Sequence, residues 1–334
     1  MKEPKGVHDL AAQKKSSDSV YFYVPVEGID FNQSNITLDT LINSFRSTGM
    51  QSLHLYQSIQ EIKKMIESNC KIYLGCTSSL ISSGLRDIVR YLVEHKHVHV
   101  CVITGGGIEE DIIKCMKPTL CADFNIPGEV LRDSGYNRIG NLVIHNENYE
   151  MFEIWFNNVL DELVENYSED NPRIMTPSQF IRHLGLKIND KKSILYWAAS
   201  NDVPIYSPAL TDGSIGDMLT FYKRRTHFKL DIVEDIKNIN YSGLSSDYTG
   251  AIILGSGLIK HHILNANLFK NGLEYCVLIN TANEYDGSDA GATLEESVSW
   301  GKVKPRRNGV KIFGDATIIF PLIVYSTFYK IDKK

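Results

Sequence analysis

Short apolar segments that end in a small or polar residue, each followed by a helical pattern, recur along this chain of 334 residues. KIYLGC at 71–76 leads to Thr77, and VHVCVIT at 98–104 leads to three glycines. Four later segments repeat the pattern: VPIYSP, GAIILGSG, YCVLIN and VKIFGD. Such strand–turn–helix units pack their helices on both faces of a parallel sheet. The chain is therefore predicted to be an α/β protein with a doubly wound, mostly parallel, Rossmann-like sheet flanked by helices.

Helical patterns precede and separate these units. Residues 37–68 are predicted to form helices that begin after Thr37, and residues 147–200 to form three more, one capped by Thr176 with Pro177 in its first turn. No linker, repeat or low-complexity tract divides the chain. We therefore expect a single α/β domain over residues 28–330 with an N-terminal helical extension, preceded by a polar, mobile segment at 1–27.

Composition argues against several functional classes. The net charge of −5 gives no reason to expect nucleic-acid binding. No apolar run reaches the roughly 18 residues of a membrane span, and the first residues lack the apolar core of a signal peptide. The cysteines show neither a CxxC motif nor metal-ligand spacing, so neither disulfides nor structural zinc are expected. A cytoplasmic protein that binds neither nucleic acid nor membranes is the simplest interpretation.

The densest group of chemically active side chains is the stretch EYDGSDAGATLEESVSWGK at 284–302. Carboxylates such as Asp289 and Glu296 can pair with ammonium groups, and the face of Trp300 can hold a cation or an alkyl chain. A lysine beside an aromatic surface, here Lys302, can lose its proton and become a nucleophile. These features suit a polycationic substrate, although a solvated acidic loop would have a similar composition.

Polar or small residues follow the predicted strands, where doubly wound sheets bind ligands and helix N-termini favour phosphates. Ser78 follows the first strand and the glycines at 105–107 follow the second. They do not form the GxGxxG fingerprint, and a plain turn explains the glycines equally well. Asp212 and Asp217 follow a later strand. Their carboxylates suit a ribose hydroxyl or an ammonium group, but this motif taken alone favours a helix cap at Asp212 with a solvated Asp217.

His261 and His262 follow a GSG turn inside a predicted helix. Adjacent helical residues point about 100° apart, so the two rings cannot bind one metal as a pair. One ring can face a site while the other packs, and a lone histidine is more often structural than catalytic. No HExxH motif, Cys/His cluster or GxSxG motif is present, so neither a metal site nor a serine hydrolase is predicted.

Taken together, these segments resemble the deoxyhypusine synthases over residues 28–328. The matches, in order, are TSSLISSG, TGGGIEED, NRIGNLVIHNENY, SPALTDGSIGDM, LDIVEDI, LGSGLIKHHILNANL, INTANEYDGSDAGA, EESVSWGK and a late GDA. The resemblance implies an NAD-dependent transferase. In that family, spermidine is oxidised beside its secondary amine, and its 4-aminobutyl group passes to an active-site lysine as an imine. The group then passes to one lysine of the translation factor 5A precursor, and reduction by bound NADH gives deoxyhypusine.

The resemblance also implies residue roles. Lys302 would carry the covalent intermediate, and His261 would accept a proton as spermidine is oxidised. The implied NAD contacts are Ser78, Ser79, Leu80, Ile81, Ser82, Thr104, Gly105, Gly106, Glu110, Asp212, Ser256, Thr281, Ala282, Asp315 and Ala316. The implied polyamine contacts are Glu109, Glu110, Asp217, His261, Asn265, Gly287, Ser288, Asp289, Glu296 and Trp300. Ser79, Gly105, Ser256 and Ala290 depart from the family pattern, but none of them removes a charged or nucleophilic residue.

The family resemblance further implies a homotetramer of two tight dimers with sites at the dimer interface. It also implies a short N-terminal helix, here within residues 9–15, that can cover the site entrance. Two alternatives remain open. One is a non-catalytic paralogue that activates a second synthase subunit, although such subunits usually lack the lysine retained here as Lys302. The other is a homospermidine synthase, which transfers the aminobutyl group to putrescine.

Overall fold

The computed structural model describes residues 24–305 and 309–333, so the helix expected within residues 9–15 lies outside the described part of the chain. The strands in chain order are β1 (Lys71–Cys76), β2 (Val100–Ile103), β3 (Leu120–Cys121), β4 (Tyr136–Ile139), β5 (Leu142–His145), β6 (Arg173–Met175), β7 (Ile205–Tyr206), β8 (Phe228–Leu230), β9 (Thr249–Leu254), β10 (Tyr275–Asn280) and β11 (Val310–Phe313). Six of them form one parallel sheet in the order β11-β10-β9-β1-β2-β7.

The direction in which strands are added reverses between β1 and β9. From β1 the chain builds outward through β2 to β7, and from β9 it builds outward on the other side through β10 to β11. β1 and β9 pair along their whole length, from Lys71↔Thr249 to Cys76↔Leu254. All six residues of β9 are buried, because helices cover both faces of the sheet. The predicted doubly wound, mostly parallel α/β fold is confirmed.

The helices in chain order are α1 (Leu38–Thr48), α2 (Met50–Glu67), α3 (Ser78–Ser82), α4 (Leu85–Glu94), α5 (Gly105–Met116), α6 (Gly128–Asp133), α7 (Asn146–Leu163), α8 (Pro177–Ile188), α9 (Ile194–Asn201), α10 (Ser214–Phe221), α11 (Ile232–Leu244), α12 (Leu258–Ala266), α13 (Leu294–Ser299), α14 (Ala316–Ser326) and α15 (Phe328–Asp332). Thr37 caps α1, and Thr176 caps α8 through a capping box, both as predicted. In the described part of the chain, no helix is both long and apolar enough to cross a bilayer.

The glycines at 105–107 form the first turn of α5, so the plain-turn interpretation of these glycines is wrong. A Cβ added at Gly107 would lie 2.6 Å from Cγ2 of Ile103, and one added at Gly105 would lie 2.8 Å from the carbonyl oxygen of Ala209. Gly107 therefore meets the end of β2 and Gly105 meets the loop after β7, and both contacts leave room only for glycine.

Two small sheets were not predicted. β3, β5 and β4 form an antiparallel sheet, and β6 pairs with β8. Their strands are two to four residues long, and only β5 contains an apolar run, of three residues, so most of them lack the signal that marks the central strands.

Asp111 is the polar centre of the helical layer beside α5. Its buried carboxylate accepts hydrogen bonds from Nε of Arg86 at 2.7 Å and from Oγ of Ser193 at 2.6 Å. It also accepts from the backbone N–H groups of Ile194 and Leu195, at 3.0 and 3.1 Å. One side chain thus joins α4 and α5 to the first turn of α9.

Asp111→Ala should lower the free energy of unfolding by about 3–5 kcal/mol, because it leaves the guanidinium of Arg86 buried without its carboxylate. Chemical denaturation at one fixed protein concentration measures the change. Glu234→Ala is the matched control, since it breaks an exposed ion pair with Lys237 and should cost less than about 1 kcal/mol. Equal losses in the two variants would contradict this role for Asp111.

Candidate active site

A cavity of about 540 Å³ lies at the carboxyl end of the sheet, where the strand order reverses. Its walls come from the segments that follow β1, β9, β10 and β11. Doubly wound sheets bind nucleotides at such a reversal point. Of the predicted cofactor contacts, the cavity is lined by Ser79, Leu80, Ser256, Thr281, Ala282, Asp315 and Ala316.

The local backbone explains how these segments meet. Gly255 has a φ of +86°, and a Cβ there would lie 2.6 Å from the side chain of Thr77, so the ends of β9 and β1 approach closely only because residue 255 is glycine. Asp315 caps α14 by accepting from the backbone N–H of Thr317 at 2.7 Å. The wall thus presents hydroxyl groups, a carboxylate and the backbone of several glycines. These donors and acceptors fit the hydroxyl-rich sugars of a dinucleotide.

Another group of predicted cofactor residues lies at the ends of β1 and β2 but outside the cavity lining. The backbone N–H of Ser78 donates to Oγ1 of Thr104 at 2.8 Å. The hydroxyl of Thr104 therefore links the segments that follow β1 and β2, and it does not cap α5. A Cβ added at Gly106 would lie 3.1 Å from Cβ of Ser78, which brings the beginnings of α3 and α5 together.

The remaining predicted cofactor residues are more dispersed. Ile81 and Ser82 are buried on α3, and Glu110 is buried on α5. Asp212 is exposed on the loop before α10, and Gly213 rather than Asp212 is the N-cap residue of that helix. The helix-cap interpretation of Asp212 is therefore wrong.

A second cavity, of about 470 Å³, lies on the other side of the loop that follows β10. Ala290 lines the first cavity, whereas its neighbour Asp289 lines the second, so one loop forms a wall of both. Of the predicted catalytic and polyamine-binding residues, the second cavity is lined by His261, Asn265, Gly287, Asp289, Glu296, Trp300 and Lys302. Ser288 is exposed outside the cavity lining, and its backbone N–H donates to Asp286.

Lys302 is half-buried just beyond the end of α13. Gly301 has a φ of +72°, which turns the chain, and the backbone N–H of Lys302 then donates to the carbonyl of Ser297 at 2.9 Å. Nζ of Lys302 lies 5.5 Å from the ring centroid of Trp300, within the range of a cation–π contact. The structure thus places the amine and the aromatic face together at one cavity.

The backbone carbonyl of Asp289 is hydrogen-bonded within the protein, whereas one oxygen of its carboxylate is not. The buried ammonium of Lys260 donates to the carbonyls of Asp289, at 2.6 Å, and Ala292, at 3.0 Å. Burial lowers the pKa of Lys260. Oδ2 of Asp289 is buried and has no hydrogen-bond partner among the described residues. A buried acceptor of this kind favours a donor such as an ammonium group.

Lys311 holds the same loop from β11. Its Nζ donates to the carbonyls of Ala282, at 2.9 Å, and Gly291, at 2.8 Å. Gly291 presses against the loop's own backbone, since an added Cβ would fall 1.4 Å from the carbonyl oxygen of Asn283. Sequence reasoning missed both Lys260 and Lys311, although a lysine inside an apolar helix or strand pattern was a usable signal.

The two adjacent histidines have different surroundings. His261 is exposed and lines the second cavity. His262 is half-buried, and burial together with the neighbouring His261 lowers its pKa to about 4. His262 is therefore neutral at physiological pH and packs into the fold, while His261 faces the cavity.

Three predicted polyamine contacts, Glu109, Glu110 and Asp217, lie elsewhere in the described chain. Glu109 is buried beneath α10 and accepts from the backbone N–H of Ile215 at 2.9 Å. Burial raises the pKa of Glu109, and it raises the pKa of Glu110 to about 7. Asp217 is exposed in a third cavity, of about 650 Å³, whose wall includes Tyr149. The hydroxyl of Tyr149 donates to Glu110 at 3.2 Å, so the three carboxyls form a group apart from Lys302.

Known proteins give a consistent comparison. The sequence profile of deoxyhypusine synthases matches residues 40–327. A deoxyhypusine synthase from Encephalitozoon cuniculi is 58% identical over 100% of this chain and 98% of its own length. One from Caenorhabditis elegans is 45% identical over 92% of this chain and 90% of its own length. A crystal structure from Entamoeba histolytica, described as a candidate deoxyhypusine synthase, has a TM-score of 0.67 at 34% identity, covering 91% of this chain and 97% of that one. The chain therefore belongs to the deoxyhypusine synthase family, transferases of hypusine biosynthesis that act on a polyamine and a protein substrate.

Proposed function

We propose that this enzyme transfers the 4-aminobutyl group of spermidine to one lysine of the translation factor 5A precursor, with NAD as its cofactor and Lys302 as the covalent carrier. The observation that supports this most directly is the second cavity, which brings the amine of Lys302 together with the face of Trp300 and two carboxylates. With a translation factor as acceptor, we expect the enzyme to act in the cytoplasm.

The polyamine would lie along this cavity. Asp289 and Glu296 would each accept hydrogen bonds from an ammonium group, and the free oxygen of Asp289 suits that role. Trp300 would flank the aliphatic chain, since the residue is 66% exposed and forms a wall of the cavity. The substrate's reacting carbon would then lie near the amine of Lys302.

Ser256, Thr281 and Asp315 line the first cavity and would help to hold NAD there. That cofactor would supply the hydride acceptor for spermidine and the hydride donor for the imine on the acceptor lysine. His261 would take the proton released from the secondary amine of spermidine. The amine of Lys302 would attack the oxidised carbon, and the bond from that carbon to the amine of diaminopropane would break, with that amine leaving as it gains a proton. Lys302 would then hold the aminobutyl group as an imine until the acceptor lysine displaces it. The loop that forms a wall of both cavities supports this assignment, because it brings the two binding sites side by side.

A second copy of the chain would complete the site. Glu109, Glu110 and Asp217 are polyamine contacts by resemblance, yet they lie apart from Lys302 in one copy. We propose that they belong to the site of a neighbouring subunit, in a homotetramer built from two dimers with sites at the dimer interface. This arrangement accounts for both groups of predicted residues without a rearrangement of the fold.

NAD should stabilise the folded protein, because a ligand that binds only the native state adds about 2.7 kcal/mol at a hundredfold excess over its Kd. A melting curve with and without NAD measures the shift, and calorimetry gives the stoichiometry. Ser256→Leu is the control, since it places a bulky side chain in the first cavity and should abolish the shift. No shift and no binding by the unaltered protein would contradict NAD as the cofactor.

Glu296→Gln and Asp289→Asn should each weaken spermidine binding about tenfold or more while NAD binding persists, because each removes a charge-assisted hydrogen bond worth roughly 1.5–3 kcal/mol. Titration calorimetry measures both ligands. Glu295→Gln and Asp286→Asn are matched controls, since these neighbouring exposed carboxylates do not line the second cavity. Spermidine affinity that stays unchanged in both test variants would refute the assignment.

Lys302→Arg should fold and bind NAD but make no deoxyhypusine, because a guanidinium stays protonated and cannot form the imine. Borohydride trapping with labelled spermidine should place the label on Lys302 in the unaltered protein and on no residue of the variant. Lys304→Arg is the control and should retain activity. Label found on another lysine would overturn this mechanism. Label transferred to putrescine would indicate homospermidine synthesis, and activity only with a second subunit would indicate a regulatory paralogue.

A further inference from the structure

The segment 302–304 is held from behind by the turn that precedes β10. The backbone N–H of Leu273 donates to the carbonyl of Lys302 at 3.0 Å, and the N–H of Lys304 donates to the carbonyl of Leu273 at 3.0 Å. These bonds form a parallel β-bridge between Leu273 and Val303, both of which are buried. The backbone of Lys302 is therefore fixed by this turn as well as by the end of α13.

Gly272 makes the approach of the two backbones possible. Its φ is +92°, and an added Cβ would lie 2.8 Å from the backbone nitrogen of Val303 and 2.9 Å from the carbonyl carbon of Lys302. These contacts are with rigid peptide atoms, so any side chain at position 272 would push the peptide after Lys302 away.

Glu274 holds the same segment through an ion pair between its carboxylate and Lys304. Its carboxylate is 1% exposed and accepts from Nζ of Lys304 and, at 3.0 Å, from Nζ of Lys270. It also accepts from the backbone N–H of Thr249 at 2.7 Å. Burial acts to raise the pKa of Glu274, but these hydrogen bonds outweigh it and the pKa is lowered, so the carboxylate is ionised at neutral pH.

We propose that Gly272 and the Glu274–Lys304 ion pair are positioning residues for Lys302, holding its backbone so that the amine meets the polyamine carbon at a fixed place and angle. The inference rests on the proposed function of Lys302. Neither Glu274 nor Lys304 lines the second cavity, so the pair acts through Lys302 and not on the substrate. A displacement of about 1 Å in a reacting group can slow a reaction about a hundredfold. The contacts that fix the backbone of Lys302 should therefore have a large effect on the reaction rate.

Lys304→Met tests the ion pair without adding volume to the cavity. Trapping of labelled spermidine by borohydride in a single turnover should be about tenfold slower or more, because Lys302 is less well placed. The Kd values of NAD and spermidine should change less than about twofold, since the lining residues are untouched. Lys304→Arg should restore the rate, because it restores the charge. Lys187→Met is the matched control, as Lys187 is 37% exposed in an ion pair and Lys304 is 35% exposed.

Gly272→Ala tests the backbone contact. Gly49 provides a matched control, since its φ is +90° and no described atom lies within 4 Å of an added Cβ. Both variants place a side chain at a positive φ, so melting curves should show a loss of stability from that source in both. Only Gly272→Ala should slow the trapping reaction, because only there does the new Cβ meet the peptide of Lys302.

The outcomes separate this inference from the function on which it rests. If the unaltered protein forms no trappable adduct, the proposed role of Lys302 fails. If it forms the adduct and both Lys304→Met and Gly272→Ala react at the unaltered rate, the positioning role is overturned and the role of Lys302 stands. A fall in spermidine affinity as large as the fall in rate also overturns the positioning role. If Gly272→Ala does not fold, the Lys304 variants decide alone.

Discussion

The parallel pairing of β1 with β9 is the constraint on which the arrangement of this molecule depends. Six consecutive residue pairs hold these strands together in the middle of the sheet, and later strands are added outward on both sides. Because all six strands of the sheet run in the same direction, their carboxyl ends share one edge. Polar loops that are distant in sequence therefore meet where the direction of strand addition reverses, and the first cavity lies there.

The loop between the two cavities shows how a folded chain can hold an acidic segment and still leave its charges available. The ammonium groups of Lys260 and Lys311 donate hydrogen bonds to backbone carbonyls of this loop, with Nζ–O distances of 2.6–3.0 Å. If Lys260 instead paired with the carboxylate of Asp289, that charge would be neutralised within the protein. Burying an ammonium group is costly unless it is well hydrogen-bonded, and here the carbonyls satisfy it. Backbone anchoring thus leaves the free oxygen of Asp289 able to accept from a ligand.

The central strands could be predicted from sequence because their signal is local. Residues 71–76 and 275–280 are apolar runs bounded by polar or small residues, and they form β1 and β10 with the predicted limits. The small antiparallel sheet could not be predicted in this way, since its strands are only two to four residues long and gain their pairing from the surrounding fold. The glycines at 105–107 were ambiguous for a related reason. Only the packing of α5 against the end of β2 shows why a helix, and not a turn, begins there.

The site itself could be predicted only in part. Motif resemblance identified the residues around Lys302, but spacing along the chain cannot show which lysines anchor carbonyls, as Lys260 and Lys311 do. Spacing along the chain also cannot show which half of the sheet edge a residue occupies. Glu109, Glu110 and Asp217 lie on the half formed by β2 and β7, whereas Lys302 lies on the half formed by β9, β10 and β11.

In one chain, the buried carboxyl group of Glu110 lies apart from the amine of Lys302. The carboxyl of Glu110 has its pKa raised to about 7 by burial, and its Oε2 has no hydrogen-bond partner among the described residues. Such a group exists near neutral pH as a mixture of acid and anion, and an ammonium group brought beside it favours the anion. Within the proposed assembly, the cation would come from a polyamine held in a neighbouring subunit's cavity. The same burial that makes the charge unfavourable in one chain would then strengthen its attraction for that cation, because water no longer screens the pair.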